Sequence, residues 1–283
     1  VHNSVERYIQ KDVLEHIQPQ KVVVIYGPRR VGKTTLLGQL AKHLSEPILW
    51  LTGEDLDVQE GLSGQSMEKL KSFVGKYRMV IIDEAQYVDQ IGLNLKMMVD
   101  HIEDLKIIAT GSSSFELANQ VGEPLVGRKW SYELYPLSML ELSRLETPFE
   151  SERRLESRLI FGSYPEVVLE EGEAERVKIL ESIIDGALFK DVFILEGVKK
   201  PQKIVALARM LALQIGGQVS LSELSRVLEI NLATVERYLD LLEKSFVIKR
   251  VYGFRRNLRK EITKTGRYYF WDNGIRNALI NNF

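Results

Sequence analysis

Two hydrophobic patterns follow one another along this chain. In the first half, short unbroken apolar runs alternate with amphipathic stretches. Val22–Tyr26 is apolar throughout, and four of its five residues are β-branched. Such runs are strands buried on both faces, as in a parallel sheet. Further strands are predicted at residues 48–51, 79–82, 106–109 and 130–135. Helical periodicity fills the gaps at residues 33–44, Met67–Val74 and residues 93–102. Residues 11–17 read as a short amphipathic helical start, and the two glycines in residues 61–64 read as loop. Strands alternating with helices define an α/β fold with a mostly parallel sheet.

From residue 137 the pattern turns helical. Residues 138–144, 152–161 and 173–193 carry helical spacing, interrupted by Gly162 and Pro165. A linker is expected at residues 197–201. Beyond it, helices are predicted at residues 204–215, closed by Gly216 and Gly217, at Leu221–Leu228 and at Leu232–Lys244. Two strand-like runs, 246–252 and 268–271, flank a polar, basic turn. Three helices followed by a two-stranded hairpin describe a winged helix.

The totals narrow the class. A length of 283 residues suggests about two domains, and 45% hydrophobic residues suffice for packed cores. The formal net charge is -1, so a polyanion could be bound only through a local patch. There are no cysteines, which excludes disulfides, thiolate metal sites and cysteine nucleophiles. No apolar run reaches the length of a membrane span. Glu6, Arg7, Lys11 and Asp12 break any signal-peptide pattern, so a cytoplasmic location is expected. The sequence begins without methionine, consistent with a trimmed chain.

One segment carries specific chemistry. Gly27, Pro28, Arg29, Arg30, Val31, Gly32, Lys33 and Thr34 match G-x-x-x-x-G-K-[ST], between a predicted strand and a predicted helix. The glycines let backbone N–H groups turn inward around an anion, and the helix start adds its positive end. Lys33 is expected to reach the β- and γ-phosphates of ATP. Thr34 is expected to ligate Mg2+, and Thr35 to line the nucleotide behind it. Arg29 and Arg30 read either as phosphate contacts or as solvated loop charges.

The second half of the site is Asp83 and Glu84, which close an apolar strand. Asp83 stands where a Walker-B aspartate holds magnesium. Glu84 can accept a proton from attacking water, which favours hydrolysis over transfer to another acceptor. Thr110, ending the fourth strand, is expected beside the γ-phosphate, with Ser112 as the alternative. Turn chemistry accounts for either residue equally simply. Gln86 reads as an orienting partner of Glu84 or as a surface amide.

The runs GPRRVGKTTLL, VIIDEAQ and ATGSSS resemble a large group of AAA-type ATPases of bacteria and archaea. PLVGR, YPLSMLEL, FGSYPEVV and RYYFWDNGIR extend that resemblance over nearly the whole chain. It implies an AAA-like P-loop core at residues 1–136, a helical lid at 137–200 and a winged-helix domain at 201–283. It further implies Arg128 as an arginine finger and Pro165 as a lid residue near the adenine. As a surface charge and a helix breaker, the same two residues have plain readings too. Many relatives of this type continue into a nuclease-like domain, which a chain ending at Phe283 is expected to lack.

The expected function is Mg-dependent ATP binding and hydrolysis, as switch or motor on a nucleic-acid or protein partner. The alternative is a nucleotide-gated DNA-binding regulator with negligible turnover; a phosphotransferase is less favoured. DNA would meet the basic hairpin, with Arg255, Arg256, Arg259 and Lys260 at its centre. An arginine finger implies a homo-oligomer.

Overall fold

The structure is a computed structural model that describes residues 5–64, 66–112, 124–186, 200–252 and 266–283. The expected basic turn with Arg255, Arg256, Arg259 and Lys260, the linker residues 197–199, and residues 187–193 of the expected helix lie outside the described residues. Backbone packing separates two units, Val1–Leu145 and Glu146–Phe283.

The first unit is built on a five-stranded sheet. Its strands are β1 (Val22–Tyr26), β2 (Ile48–Thr52), β3 (Met79–Asp83), β4 (Lys106–Gly111) and β5 (Lys129–Glu133), in the spatial order β2-β3-β4-β1-β5. Every pairing is parallel, in register Val22 with Ile107 and with Lys129, and Thr52 with Asp83. β1 and β3 are buried along their whole length, as their apolar runs require. Because β4 lies between β1 and β3, the carboxyl ends of those three strands stand side by side. Ligands of open parallel sheets bind outside such carboxyl ends.

The helices of this unit are α1 (Gln10–Glu15), α2 (Lys33–Ala41), α3 (Leu56–Ser63), α4 (Met67–Val74), α5 (Ile91–His101) and α6 (Met139–Leu142). Residues 61–64, expected as loop, instead complete α3 as far as Ser63. Asp55 caps that helix by accepting from the Asp57 N–H at 2.9 Å. Gly61 serves packing there, since a Cβ would run into the Phe73 ring.

The second unit holds α7 (Pro148–Arg153), α8 (Leu155–Phe161), α9 (Pro165–Leu169), α10 (Glu173–Ile184), α11 (Pro201–Leu213), α12 (Leu221–Leu228) and α13 (Leu232–Lys244). An antiparallel pair, β6 (Ile248–Val251) and β7 (Arg267–Phe270), and α14 (Asn273–Leu279) complete it. The helix expected over 152–161 is two helices meeting at Arg154. The first of these starts at a capping box of Thr147 and Glu150, with Pro148 at its first position. Ser220 and Asn231 cap α12 and α13. α14, which the sequence pattern did not predict, packs on α8, α10 and α11. It thereby joins the helices before residue 186 to those after residue 200.

Candidate functional site

The sheet order assembles one cluster of polar side chains from residues far apart in sequence. Leaving β1, the chain turns through Arg30 at φ 60° and Gly32 at φ 95°, then enters α2 at Lys33. Gly32 is the N-cap, and its left-handed conformation suits a residue without a Cβ. Lys33 is buried, with 4% of its surface exposed. Its Nζ donates to the carbonyls of Gly27 at 3.0 Å and Pro28 at 3.1 Å, and lies 3.6 Å from Glu84 Oε1. The ammonium is thus held inside the loop by the loop's own backbone.

Asp83 ends β3 and is buried. The Thr34 hydroxyl donates to Asp83 Oδ2 at 2.6 Å, and the Thr110 hydroxyl donates to Asp83 Oδ1. Thr110 also accepts from the Glu84 N–H at 3.1 Å. Glu84 leaves the strand at φ 50°, a left-handed conformation that costs a residue with a Cβ about 1 kcal/mol. A one-turn helix, Ala85–Tyr87, follows directly. In it Gln86 donates to Glu84 Oε2 at 2.6 Å and to Ser112 Oγ at 3.0 Å. Arg29 donates to the Tyr87 hydroxyl at 2.8 Å.

The structure therefore gathers Thr34, Asp83, Glu84 and Thr110 into one hydrogen-bonded group, with Lys33 joined to it through its ion pair with Glu84. Arg29 touches Tyr87, on the same short turn. Arg30 stays on the loop and Thr35 on the first turn of α2.

Arg128 stands elsewhere. It immediately precedes β5, whose first residue pairs with Val22 at the amino end of β1. The phosphate loop leaves the opposite end, four residues or about 13 Å away along the strands. Its Nε donates to Asp100 Oδ1 at 2.6 Å, a half-exposed ion pair within the same unit. Arg128 is thus remote from the phosphate loop of its own unit, and a finger role could only be played toward another copy. Pro165, expected beside the adenine, occupies the first position of α9 in the second unit.

Sequence reasoning missed two residues that support the loop. Arg7 is 5% exposed and Glu141 4%. Arg7 Nε donates to Glu141 Oε1 at 2.9 Å, while its other nitrogens donate to the carbonyls of Val31, at 2.8 Å, and Tyr135. One guanidinium thus ties the amino-terminal segment, the phosphate loop and the exit of β5 together. Burial pushes the Glu141 carboxyl up. The N–H groups of Ser138 and Tyr8 and the Arg7 guanidinium outweigh that and hold it below the usual carboxylate range.

Comparison with known proteins agrees with this geometry. Residues 19–143 match the AAA domain family, and residues 152–283 match a domain of unknown function (DUF8612). An uncharacterized protein of Haemophilus influenzae is 28% identical over 301 residues, covering 98% of this chain and 73% of that protein. Uncharacterized protein MJ1544 of Methanocaldococcus jannaschii is 25% identical over 274 residues, covering 88% of this chain and 60% of its own length. The chain therefore spans between about half and three quarters of such relatives. Among solved structures, a Walker-type ATPase of Pyrococcus abyssi shares the fold. Its TM-score is 0.66 at 16% identity, over 98% of this chain and 96% of that one. The match over residues 19–143 supports an AAA-type P-loop domain there, and the solved structure shows that the fold is shared.

Proposed function

We propose that this chain binds ATP with magnesium at the loop of residues 27–34 and hydrolyses it, with Glu84 as the general base. The observation that carries the reading is the cluster of Lys33, Thr34, Asp83, Glu84 and Thr110 at the carboxyl ends of adjacent parallel strands. Phosphate suits the loop, because the buried Lys33 ammonium stands at a helix start, whose free N–H groups and dipole favour an anion. Magnesium suits Thr34 and Asp83. It takes hard oxygen donors and is commonly held by one or two carboxylates together with phosphate oxygens and water. When bound, the ion neutralises charge on the phosphate oxygens. In this reading Lys33 binds the β- and γ-phosphates, Thr110 senses the γ-phosphate beside Asp83, and Glu84 takes the proton of the attacking water.

The molecule acts, on this proposal, as a switch or motor on a macromolecular partner. Helices α11, α12 and α13, followed by the antiparallel pair β6 and β7, support a winged-helix reading of residues 201–283. The exposed face of α13 mixes Glu236 and Asp240 with Arg237, and Lys244 pairs with Asp240 at 2.8 Å. A DNA contact therefore rests on the basic turn rather than on that helix. Salt-dependent retention of duplex DNA by the parent, lost in an Arg255→Ala, Arg256→Ala, Arg259→Ala variant, would support it. Equal retention by both proteins would leave a protein partner as the better reading.

Phosphate release with Mg-ATP, compared between the parent and Glu84→Gln, tests the catalytic reading. The glutamine keeps the shape of the base and cannot accept the proton. Turnover should fall on the order of 10²-fold or more while ATP affinity is retained. Parental turnover in Glu84→Gln would remove Glu84 from the role of base.

A further inference from the structure

We propose that Gln86 is the positioning residue for the Glu84 carboxylate and couples it to Ser112 at the end of β4. The inference rests on Glu84 being the base and adds to that reading what holds the base in place. Glu84 has a strained backbone, and that backbone is fixed from β4, since Thr110 Oγ1 accepts its N–H. Its side chain is fixed from β4 as well, one step removed. The Gln86 amide nitrogen carries two hydrogens, directed to Glu84 Oε2 at 2.6 Å and to Ser112 Oγ at 3.0 Å. The two β4-derived residues thus have different partners. Thr110 holds the peptide of Glu84, and Ser112 holds the amide that holds its carboxylate.

Burial makes this anchor consequential. Gln86 is 6% exposed and Ser112 2%, whereas the Glu84 side chain is 19% exposed. A carboxylate on a flexible stem, open on one side, needs a fixed donor to keep one oxygen aimed. Here Gln86 holds Oε2, and Oε1 is left toward Lys33 at 3.6 Å, the side on which phosphate would sit. The same short turn carries Tyr87, which accepts from Arg29 of the phosphate loop. A shift of Ser112 or of the loop would therefore be felt at the base. A displacement of about 1 Å in a reacting group costs roughly 10²-fold in rate.

The experiment compares Gln86→Met, which keeps the volume and removes both donors, with Gln86→His, which keeps a donor. Ser112→Ala and the double variant Gln86→Met, Ser112→Ala complete the set, with Glu84→Gln alongside. Steady-state phosphate release and titration of a fluorescent ADP are measured for each. Gln86→Met should lower kcat about ten- to a hundred-fold with ADP affinity within twofold of the parent. Gln86→His should recover part of the loss. Ser112→Ala should lower kcat by a smaller factor, and the double variant should be no slower than Gln86→Met alone. Parental kcat in Gln86→Met, with Glu84→Gln inactive, overturns the proposal and leaves Glu84 as the base. So does a fall in ADP affinity that matches the fall in kcat, which marks a merely structural role. If Gln86→Met does not fold, Ser112→Ala decides, and an unchanged kcat there overturns the proposal. Full turnover by Glu84→Gln sinks the underlying reading of the base instead.

Discussion

The phosphate-loop cluster of the first unit and the Gly162–Asp272 junction of the second both bury acidic groups, and they do so on opposite terms. In the first, side chains meet side chains. Asp83 takes two threonine hydroxyls, and Glu84 takes an amide and faces a lysine. In the second, Asp272 is held by backbone. Its carboxylate accepts from the Ser163 N–H at 2.7 Å and caps α14 through the Ile275 N–H at 3.2 Å. Gly162, at φ 77°, leaves no room for a Cβ against that carboxylate. Asn277 donates to the Ile160 carbonyl at 2.7 Å, closing the junction from the other side. FGSYPEVV and RYYFWDNGIR, more than a hundred residues apart, are thus two halves of one interlock. A distinctive run of sequence can therefore mark assembly as well as chemistry.

If that contrast holds, damage to the two kinds of site separates into lost binding and lost stability. The largest effect is expected from Lys33→Ala. It removes the buried ammonium of the loop and should abolish measurable ATP binding in a calorimetric titration, with unfolding close to parental. A binding isotherm like the parent's would mean that the loop holds nucleotide without its lysine. Next is Arg7→Met. Arg7 lies in the same unit as the loop but works as Asp272 does, joining distant segments. Removing one partner of a buried pair costs about 3–5 kcal/mol, because the other charge is left without compensation. Urea unfolding should show that loss, and the double variant Arg7→Met, Glu141→Gln should recover part of it. A change under about 1 kcal/mol in the single variant would place Arg7 among ordinary surface arginines.

These residues also show what could be read from sequence. The phosphate loop was legible because its eight residues are contiguous and its flanks fix their context. Asp83 and Glu84 were legible as the polar stop of an apolar strand. The five strands lie within one or two residues of their expected ends; for β1 and β3, full burial leaves an unbroken apolar run. Arg7 was not legible, because a single arginine in a mixed polar stretch looks solvated, and its partner Glu141 lies 134 positions on. α14 was missed because Asp272 and Gly274 straight after a strand suggest a turn, whereas Asp272 is a helix cap. The sequence pattern cuts α3 short because Gly61 reads as a loop glycine, whereas it packs against Phe73. Contacts between distant segments decided each of these cases, and periodicity carries no information about them.

The Asp272 junction makes a smaller, pH-dependent prediction. Burial pushes the Asp272 carboxyl up to about 6, against the pull of the backbone N–H groups of Ser163, Ile275 and Gly274. An unfolded aspartate titrates near 3.9. The folded protein therefore binds an extra proton between roughly pH 4 and 6. The stability that proton brings is fully present below pH 4 and is lost as pH rises through 6. The difference is roughly 3 kcal/mol at most. Asp272→Asn removes the titration and keeps an oxygen to cap α14. From pH 4 to 7 the variant should gain stability relative to the parent, by up to that amount. A gap that stays constant with pH would mean that the fold leaves the Asp272 carboxyl at its unfolded pKa.

Arg128 should show the smallest effect, and it tests whether the chemical cluster ends at the unit's own residues. It stands about 13 Å along the sheet from the loop and pairs with Asp100 in a half-exposed bridge. Pairs of that exposure contribute under about 1 kcal/mol. On this geometry Arg128→Ala should unfold within that margin of the parent and turn over ATP at nearly the same rate. Activity per subunit should then be flat across dilution. An arginine finger predicts the contrary. Turnover would fall about 10³-fold or more with ATP affinity retained, and specific activity would rise with protein concentration. Mixing Arg128→Ala with Lys33→Ala would then restore activity, one copy supplying the loop and the other the arginine. Such a restoration would require a second copy to set the amino end of its sheet against the carboxyl end of this one. That is a head-to-tail contact, which closes a ring if the rotation permits and otherwise grows a filament. The mixing experiment therefore decides between a bridge that steadies α5 and a site completed by a neighbouring copy.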